Sequence, residues 1–209
     1  MLRMPKRVLQ KIVRIIRGQS FVWIYQDKEK WEQQFAKGTW DRIRDGGPHV
    51  DAVVAIVRAR SLELRRPLSV LDVGCGNGGI ARSFLGDDTI SRYVGIDISQ
   101  RAVKEASEQN PEGTYFAHNI DDGLPEGIGT FDIVICSEVL YYINAPKCIR
   151  TLNQALESHS RAIYSYYRSW RGPIMRALLS LMTHVVDVRM VYNKARTQSW
   201  TIVVTEKRT

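Results

Sequence analysis

The sequence predicts an α/β fold built on a mostly parallel sheet, and two observations support that prediction. Short apolar segments such as 70–73 and 131–139 alternate with segments whose apolar residues recur at helical spacing. The first apolar segment leads directly into a glycine-rich turn and a helix, within SVLDVGCGNGGIARSFL at 69–85. Parallel strands are buried on both faces, which favours such apolar runs over strict alternation. We therefore expect helices on both faces of one central sheet.

The glycine-rich turn at 74–79 is predicted to bind a ligand. Four of its six residues are glycine, which allows positive φ angles and lets a ligand lie against the backbone. The turn leads into a helix N-terminus, whose free N–H groups favour an anionic or polar ligand. Its spacing differs from the phosphate loop, because no lysine follows, and from the dinucleotide pattern G-x-G-x-x-G. A tight strand–helix turn without a ligand is the alternative.

An acidic residue ends the next apolar segment. That segment, RYVGIDIS at 92–99, places Asp97 about 20 residues beyond the turn, where a carboxylate can accept both ribose hydroxyls of a nucleoside. Ser99 is a suitable cap for the helix predicted over 100–109. The alternative interpretation of Asp97 is a second capping acid for this helix.

These residues resemble the first two motifs of class I S-adenosylmethionine (SAM) dependent methyltransferases, and the resemblance covers roughly 67–207. It implies a Rossmann-like three-layer sandwich with a seven-stranded, mostly parallel sheet and a terminal antiparallel hairpin, which 185–192 and 199–206 fit. It also implies SAM as the cofactor and S-adenosylhomocysteine (SAH) as its product. The segment SEVLYYI at 137–143 is most similar to small-molecule methyltransferases, including nodulation-type N-methyltransferases.

The resemblance implies a cofactor site at the ends of the first four strands. The ribose is expected on Asp97, and the adenine beside Ile98, Asn119 and Ile120, although many family members carry Asp where Asn119 stands. The predicted cofactor-binding residues are Asp72, Gly74, Cys75, Gly76, Gly78, Asp97, Ile98, Asn119, Ile120 and Ser137.

Two residues after the fourth strand are candidates for catalysis. Glu138 is expected to bind an acceptor ammonium group or to take the acceptor's proton, and Tyr142 to orient the acceptor. An ordinary acid in a first helical turn and a packed aromatic side chain are the respective alternatives. The loop after the fifth strand, at 167–171, offers flat faces and arginine donors that suit a sugar or an anionic group.

The chain is predicted to have two parts, an N-terminal region at 1–47 and a SAM-binding domain at 48–209. Residues 1–18 hold six basic residues and no acid, and an apolar stripe at helical spacing predicts a basic amphipathic helix. It can pack its stripe on the domain, lie on an anionic membrane surface, or bind a partner. Residues 20–44 are rich in aromatic residues and resemble the lid that covers bound SAM in small methyltransferases.

Composition limits the remaining possibilities. Residues 19–209 carry 24 basic against 22 acidic groups, and this near-neutral balance argues against a nucleic acid partner. Three scattered cysteines, without metal-ligand spacing, predict free thiols in a reducing cytoplasm, with no metal site. The expected location is cytoplasmic, with the option of attachment to the inner membrane face through 1–18.

The predicted function is transfer of a methyl group from SAM to a nitrogen or oxygen atom of a small acceptor. A sugar or a lipid-linked saccharide is the favoured acceptor. The alternatives are a non-catalytic SAM-binding partner or scaffold protein, and an RNA methyltransferase.

Overall fold

The computed structural model describes residues 27–40, 46–84, 86–169 and 171–207. The predicted amphipathic helix at 1–18 lies outside the described residues, as do 20–26 and 41–44 of the aromatic segment. The described helices are α1 (Lys28–Ala36), α2 (Pro48–Leu64), α3 (Gly79–Arg82), α4 (Gln100–Gln109), α5 (Ala145–Gln154) and α6 (Gly172–Met182). The strands are β1 (Leu68–Val73), β2 (Ile90–Asp97), β3 (Thr114–Ala117), β4 (Phe131–Ser137), β5 (Leu156–Tyr167), β6 (His184–Tyr192) and β7 (Ser199–Glu206).

The seven strands form one sheet in the order β3-β2-β1-β4-β5-β7-β6. Strand β1 lies parallel to β2 and β4, and β5 lies parallel to β4. Strand β7 runs antiparallel to both β5 and β6. The predicted seven-stranded, mostly parallel sheet with a terminal antiparallel hairpin is therefore confirmed.

The core lies on both faces of the sheet, as parallel strands require. On one face α2 packs Val53 and Val57 over Val70 of β1 and Ile133 of β4. On the other face a larger apolar cluster joins β4 and β5 to α5 and α6, which bury Leu152 and Leu178. This packing fixes the strand ends from which the site is built.

Two strand boundaries differ from those that the apolar pattern of the sequence predicts, which are 114–120 for the third strand and 160–166 for the fifth. The fifth strand begins at Leu156 rather than at Ser160, because Leu156 pairs with Phe131 and is fully buried. The third strand ends at Ala117 rather than at Ile120, because the Asn119 side chain accepts a hydrogen bond from the Asp121 N–H (3.1 Å) and starts a 3₁₀ turn at Ile120–Asp122. Both differences arise from strand pairing and side-chain capping, which the pattern of apolar residues in the sequence does not reveal.

Candidate active site

The site lies at the carboxyl ends of the parallel strands. The chain adds β2 and β3 on one side of β1, and β4 and β5 on the other, so β1 and β4 flank the point where the winding direction changes. Ligands of open α/β sheets bind at such a switch point. A cavity of about 960 Å³ opens there and is lined by residues from both halves of the sheet and from α1.

The glycine turn has the geometry that glycine alone accommodates without strain. Gly74, Gly76 and Gly78 have φ angles of +76°, +53° and +83°. A Cβ on Gly74 would lie 2.1 Å from Val139 Cγ2, and one on Gly78 would lie 2.6 Å from Asn110 Nδ2. Gly74 lines the cavity, whereas Gly78 packs against α4. The turn therefore offers bare backbone to the cavity while remaining tightly packed behind.

Asp97, at the end of β2, lines the cavity and holds the glycine turn in place. Its Oδ2 accepts the Gly76 N–H at 3.0 Å, and its Oδ1 accepts the Ser99 N–H at 2.9 Å. Burial raises the pKa of Asp97 to about 6, the two N–H donors lower it, and the nearby Glu32 carboxylate raises it further. Each carboxylate oxygen retains a further lone pair for a ligand hydroxyl.

The side chains of Asp72, just before the turn, and Cys75, within the turn, are buried and do not line the cavity. Asp72 is 1% exposed and accepts a hydrogen bond from Tyr93 Oη at 2.5 Å. Burial raises the pKa of Asp72 to about 7, and burial likewise raises the pKa of the Cys75 thiol. These two side chains therefore pack behind the turn, on the side away from the cavity.

The residues predicted to hold adenine converge on the same cavity. Ile98, Asn119 and Ile120 all line it, and Ile120 is 5% exposed. Ile98 follows β2, whereas Asn119 and Ile120 follow β3, so the cavity wall joins two adjacent strand ends. Apolar side chains flanking an amide suit a flat heterocycle with polar edges.

Glu138 sits at the centre of a hydrogen-bond network after β4. Its φ angle is +63°, and its N–H donates to the Ser165 carbonyl oxygen at 3.0 Å. Its carboxylate accepts from Tyr141 Oη at 3.0 Å and from Ser165 Oγ at 3.4 Å. Burial raises the pKa of Glu138 to about 7, with the two hydroxyl donors lowering it in part. A carboxylate with this pKa is suited to accept a proton near neutral pH.

The remaining predicted residues adjoin this network. Ser137 Oγ lies 2.6 Å from Ser165 Oγ, and both Ser137 and Tyr142 line the cavity. Burial raises the pKa of Tyr142, the negative charge of Glu138 raises it further, and the positive charge of Arg171 lowers it. The Tyr142 phenol therefore stays protonated and able to donate a hydrogen bond at neutral pH.

A group of aromatic side chains, the lid cluster, closes one side of the cavity. It consists of Trp31 of α1, Trp40 just after that helix, and Tyr142. The Trp31 ring stacks on Trp40 at 5.7 Å and meets Tyr142 edge-on at 4.9 Å, measured between ring centroids. The described part of the predicted lid thus contacts the predicted catalytic loop.

Three residues of this region were not predicted from the sequence. Glu32 of α1 accepts hydrogen bonds from Ser99 Oγ and from two backbone N–H groups at the start of α4. His49 and Trp200 line the cavity with their rings stacked at 4.9 Å. No motif marks these positions, because α1, α2 and β7 meet the site only through long-range packing.

The described residues hold neither a metal-ligand group nor a membrane-spanning helix. They contain no group of three or more His, Cys, Asp or Glu side chains placed to hold a metal ion. None of their helices has the length and apolar character that a membrane crossing requires.

Comparison with known proteins agrees with this geometry. Residues 70–159 match the family model described as "Methyltransferase domain". This part of the chain is similar to methyltransferase domains, which agrees with the resemblance to the class I SAM-dependent family. The methyl donor of the family is SAM, and the residues present fit it: bare backbone at Gly74, a half-buried carboxylate at Asp97 and a mainly apolar pocket at Ile98 and Ile120.

Among curated proteins, the chain is 30% identical over 122 residues to the 18S rRNA (guanine-N(7))-methyltransferase of Bos taurus, covering 56% of this chain and 41% of that protein. The chain spans less than half the length of the curated relatives it matches.

Two solved structures share the fold. N-methyltransferase NodS of Bradyrhizobium japonicum in complex with SAH has a TM-score of 0.65 and 15% identity, covering 97% of this chain and 99% of that one. The 1,6-didemethyltoxoflavin-N1-methyltransferase of Burkholderia thailandensis has a TM-score of 0.69 and 15% identity, covering 100% of this chain and 92% of that one.

Proposed function

We propose that this protein transfers the methyl group of SAM to a nitrogen or oxygen atom of a small acceptor. One observation carries the proposal. The positive-φ turn at Gly74 and the half-buried carboxylate of Asp97 open into the same cavity as Glu138 and an aromatic wall. The first pair suits the cofactor, and the remainder gives room and chemistry for a second molecule.

When bound, SAM supplies an electrophilic methyl group on a positively charged sulfur. The protein's own residues then have to position the acceptor and exclude water. We assign the ribose hydroxyls to Asp97, the adenine to Ile98, Asn119 and Ile120, and the backbone contact to Gly74. Asp72, Cys75 and Gly78 act by shaping the turn from outside the cavity.

Glu138 is the proposed proton acceptor. A hydroxyl acceptor has to lose its proton as its oxygen gains the methyl group, and the Glu138 carboxylate lines the cavity with a pKa of about 7. Tyr141 Oη and Ser165 Oγ hold this carboxylate in one orientation. Tyr142 is proposed to orient the acceptor by its phenol and its ring.

The side chains of the cavity wall indicate which kinds of acceptor would fit. Sugars and planar aromatic compounds both stack on aromatic side chains, so both fit the lid cluster. Both structural neighbours are N-methyltransferases, and the Burkholderia thailandensis enzyme has 1,6-didemethyltoxoflavin bound together with SAH. A saccharide, its lipid-linked form, and contact of residues 1–18 with a membrane surface are proposals without support from these comparisons.

The cofactor site is tested by calorimetric titration with SAH. We expect Asp97→Asn to weaken SAH binding by about 1.5–3 kcal/mol, roughly 10- to 150-fold, because the charged hydrogen bonds to the ribose are lost. Asp88→Asn is the matched control, since Asp88 is an exposed acid outside the cavity and should leave the affinity unchanged. Equal affinity in both variants would remove Asp97 from the site, provided that thermal unfolding shows both to be folded.

The reaction is tested with SAM carrying a labelled methyl group and a panel of amine and hydroxyl acceptors. Label transfer that falls at least 100-fold in Glu138→Gln supports the proposal. Tight SAH binding without transfer to any acceptor would favour the scaffold alternative.

RNA is the second candidate acceptor, because the bovine relative is an rRNA methyltransferase. Binding of RNA that weakens steeply with salt, together with label transfer to RNA, would favour it over a small molecule.

A further inference from the structure

A second group of rings lines the cavity, apart from the lid. This sheet cluster consists of His49 at the start of α2, Tyr167 at the end of β5 and Trp200 of β7. The His49 and Trp200 rings stack at 4.9 Å with 20° between their planes. Tyr167 lies directly opposite Trp200 in the antiparallel pair, and the two rings meet edge-on at 5.8 Å. The three side chains therefore form one contiguous wall.

The sheet cluster is joined to the proposed proton acceptor. The Tyr167 N–H donates to Tyr141 Oη, and Tyr141 Oη donates to Glu138 at 3.0 Å. One tyrosine side chain thus connects the sheet cluster to the carboxylate. A molecule that stacks on this wall lies in the same cavity as Glu138.

His49 is the polar member of the wall and has an unmet hydrogen bond. It is 7% exposed, its ring lines the cavity, and its Nδ1 has no hydrogen-bond partner. Burial lowers the pKa of His49 to about 4, with the nearby Asp51 opposing this, so the ring is neutral at physiological pH. Because Nδ1 has no accessible surface, the polar contact that this ring can offer to a ligand in the cavity is the other nitrogen, Nε2.

The polar groups of the cavity help to distinguish between a sugar and a flat aromatic ring as the acceptor. A sugar presents several hydroxyls, each of which needs a partner when it is buried. Here the Asn119 and Asp121 side chains already bond protein N–H groups. Each ring of the two aromatic clusters carries one or two polar atoms at its edge, whereas its face is apolar. A flat ring with one or two polar substituents would satisfy this wall better than a saccharide.

Building on the proposed methyl transfer, we propose that the sheet cluster is the acceptor subsite and that the acceptor is a planar aromatic ring bearing a hydroxyl or amine group. The ring packs against Trp200 and Tyr167, face-on to one of them and edge-on to the other because their planes lie 78° apart, and His49 holds a polar substituent by a hydrogen bond. The subsite explains why a buried histidine and a half-buried tryptophan lie together in the cavity wall.

A pair of probes with the same carbon skeleton and one hydroxyl group each separates flat from puckered ligands. SAH-loaded protein is titrated by calorimetry with 2-naphthol, with its saturated counterpart decahydro-2-naphthol, and with glucosamine. We expect 2-naphthol to bind at least fivefold more tightly than either of the others, because only its ring can stack face to face. Equal binding of the two naphthol probes, or no binding of 2-naphthol at millimolar concentration, overturns the proposal.

Three variants test whether 2-naphthol binds at the sheet cluster. Trp200→Leu should weaken 2-naphthol binding at least fivefold. His49→Phe should weaken 2-naphthol but leave 2-methylnaphthalene unchanged, since it keeps a ring and loses the hydrogen bond. The control Tyr192→Leu removes an exposed ring outside the cavity and should change neither. Wild-type affinity for 2-naphthol in both cluster variants overturns the assignment.

The same variants separate this inference from the proposed function. SAH affinity should remain within twofold of wild type, because none of the three side chains is assigned to the cofactor. If the wild-type protein does not bind SAH, the proposed function is contradicted. Methyl transfer to a sugar without binding of 2-naphthol would contradict only the aromatic subsite. If the Trp200 variant unfolds, NMR on the wild type decides: 2-naphthol should shift the Trp200 indole resonance, and an unmoved resonance contradicts the proposal.

Discussion

At the scale of single residues, Gly74 shows how one missing Cβ allows two strand ends to meet. The residue combines a positive φ angle with close contact to Val139, which follows β4 and also lines the cavity. The motif predicts this position from sequence because its glycine spacing is local. The contact with Val139 was not predictable, since it depends on the pairing of β1 with β4.

We expect Gly74→Ala to destabilise the protein by several kcal/mol and to weaken SAH binding at least tenfold, because the new methyl group displaces Val139. Gly86→Ala is the matched control: Gly86 has a φ angle of +71°, and a Cβ there meets nothing within 4 Å. It should cost only the backbone strain, about 1 kcal/mol. Urea unfolding of both variants gives the comparison, and equal losses would contradict the role of the clash.

At the scale of elements, α1 is fastened to the N-terminus of α4 by one side chain. Glu32 accepts from Ser99 Oγ at 3.1 Å and from the Gln100 N–H at 2.5 Å. A carboxylate satisfies free N–H groups and favours the positive end of the helix dipole. The aromatic content of 20–44 predicted a lid, but nothing local to α1 predicted its anchor, because the partner lies about 70 residues away.

Removing the anchor should loosen the lid. We expect Glu32→Ala to raise amide hydrogen exchange across 28–36 about tenfold, since charge-assisted hydrogen bonds worth about 1.5 kcal/mol or more are lost. Glu29→Ala, an exposed acid of the same helix, should leave the exchange within twofold of wild type. Mass spectrometry of the peptides from 27–40 measures both variants. Equal protection in the two would show that Glu32 does not hold α1.

At the scale of the whole molecule, three buried carboxyl groups tie stability to pH. Burial raises the pKa of Asp72 and Glu138 to about 7 and that of Asp97 to about 6, above their ordinary values in the unfolded chain. The folded protein therefore binds protons that the unfolded chain has released. Their stabilising contribution is complete at low pH and is lost as pH rises through 6 to 7.

His49 acts in the opposite direction. Burial lowers its pKa from 6.5 to about 4, so its contribution is present above pH 6.5 and is lost as pH falls through 4. The carboxyl effect should dominate between pH 8 and pH 6, because two groups titrate near pH 7.

We expect the free energy of unfolding, measured in urea, to be greater at pH 6 than at pH 8. Glu138→Gln should reduce this difference by about 1 kcal/mol, since it removes one group that burial makes titrate between these two pH values, at a pKa of about 7. Glu126→Gln, at an exposed position, should leave the difference unchanged. A wild-type stability that rises from pH 6 to pH 8 would contradict the sign.

The attachment of α1 beside the ribose carboxylate also has a kinetic consequence. Glu32 contacts Ser99, and Ser99 donates its N–H to Asp97, so the lid and the nucleoside contact share a single short connection. Because linked binding free energies are reciprocal, a cofactor that steadies Asp97 also favours the covered arrangement of α1. Turnover should then follow a compulsory order in which SAM binds before the acceptor. Product inhibition by SAH should be competitive with SAM and not with the acceptor.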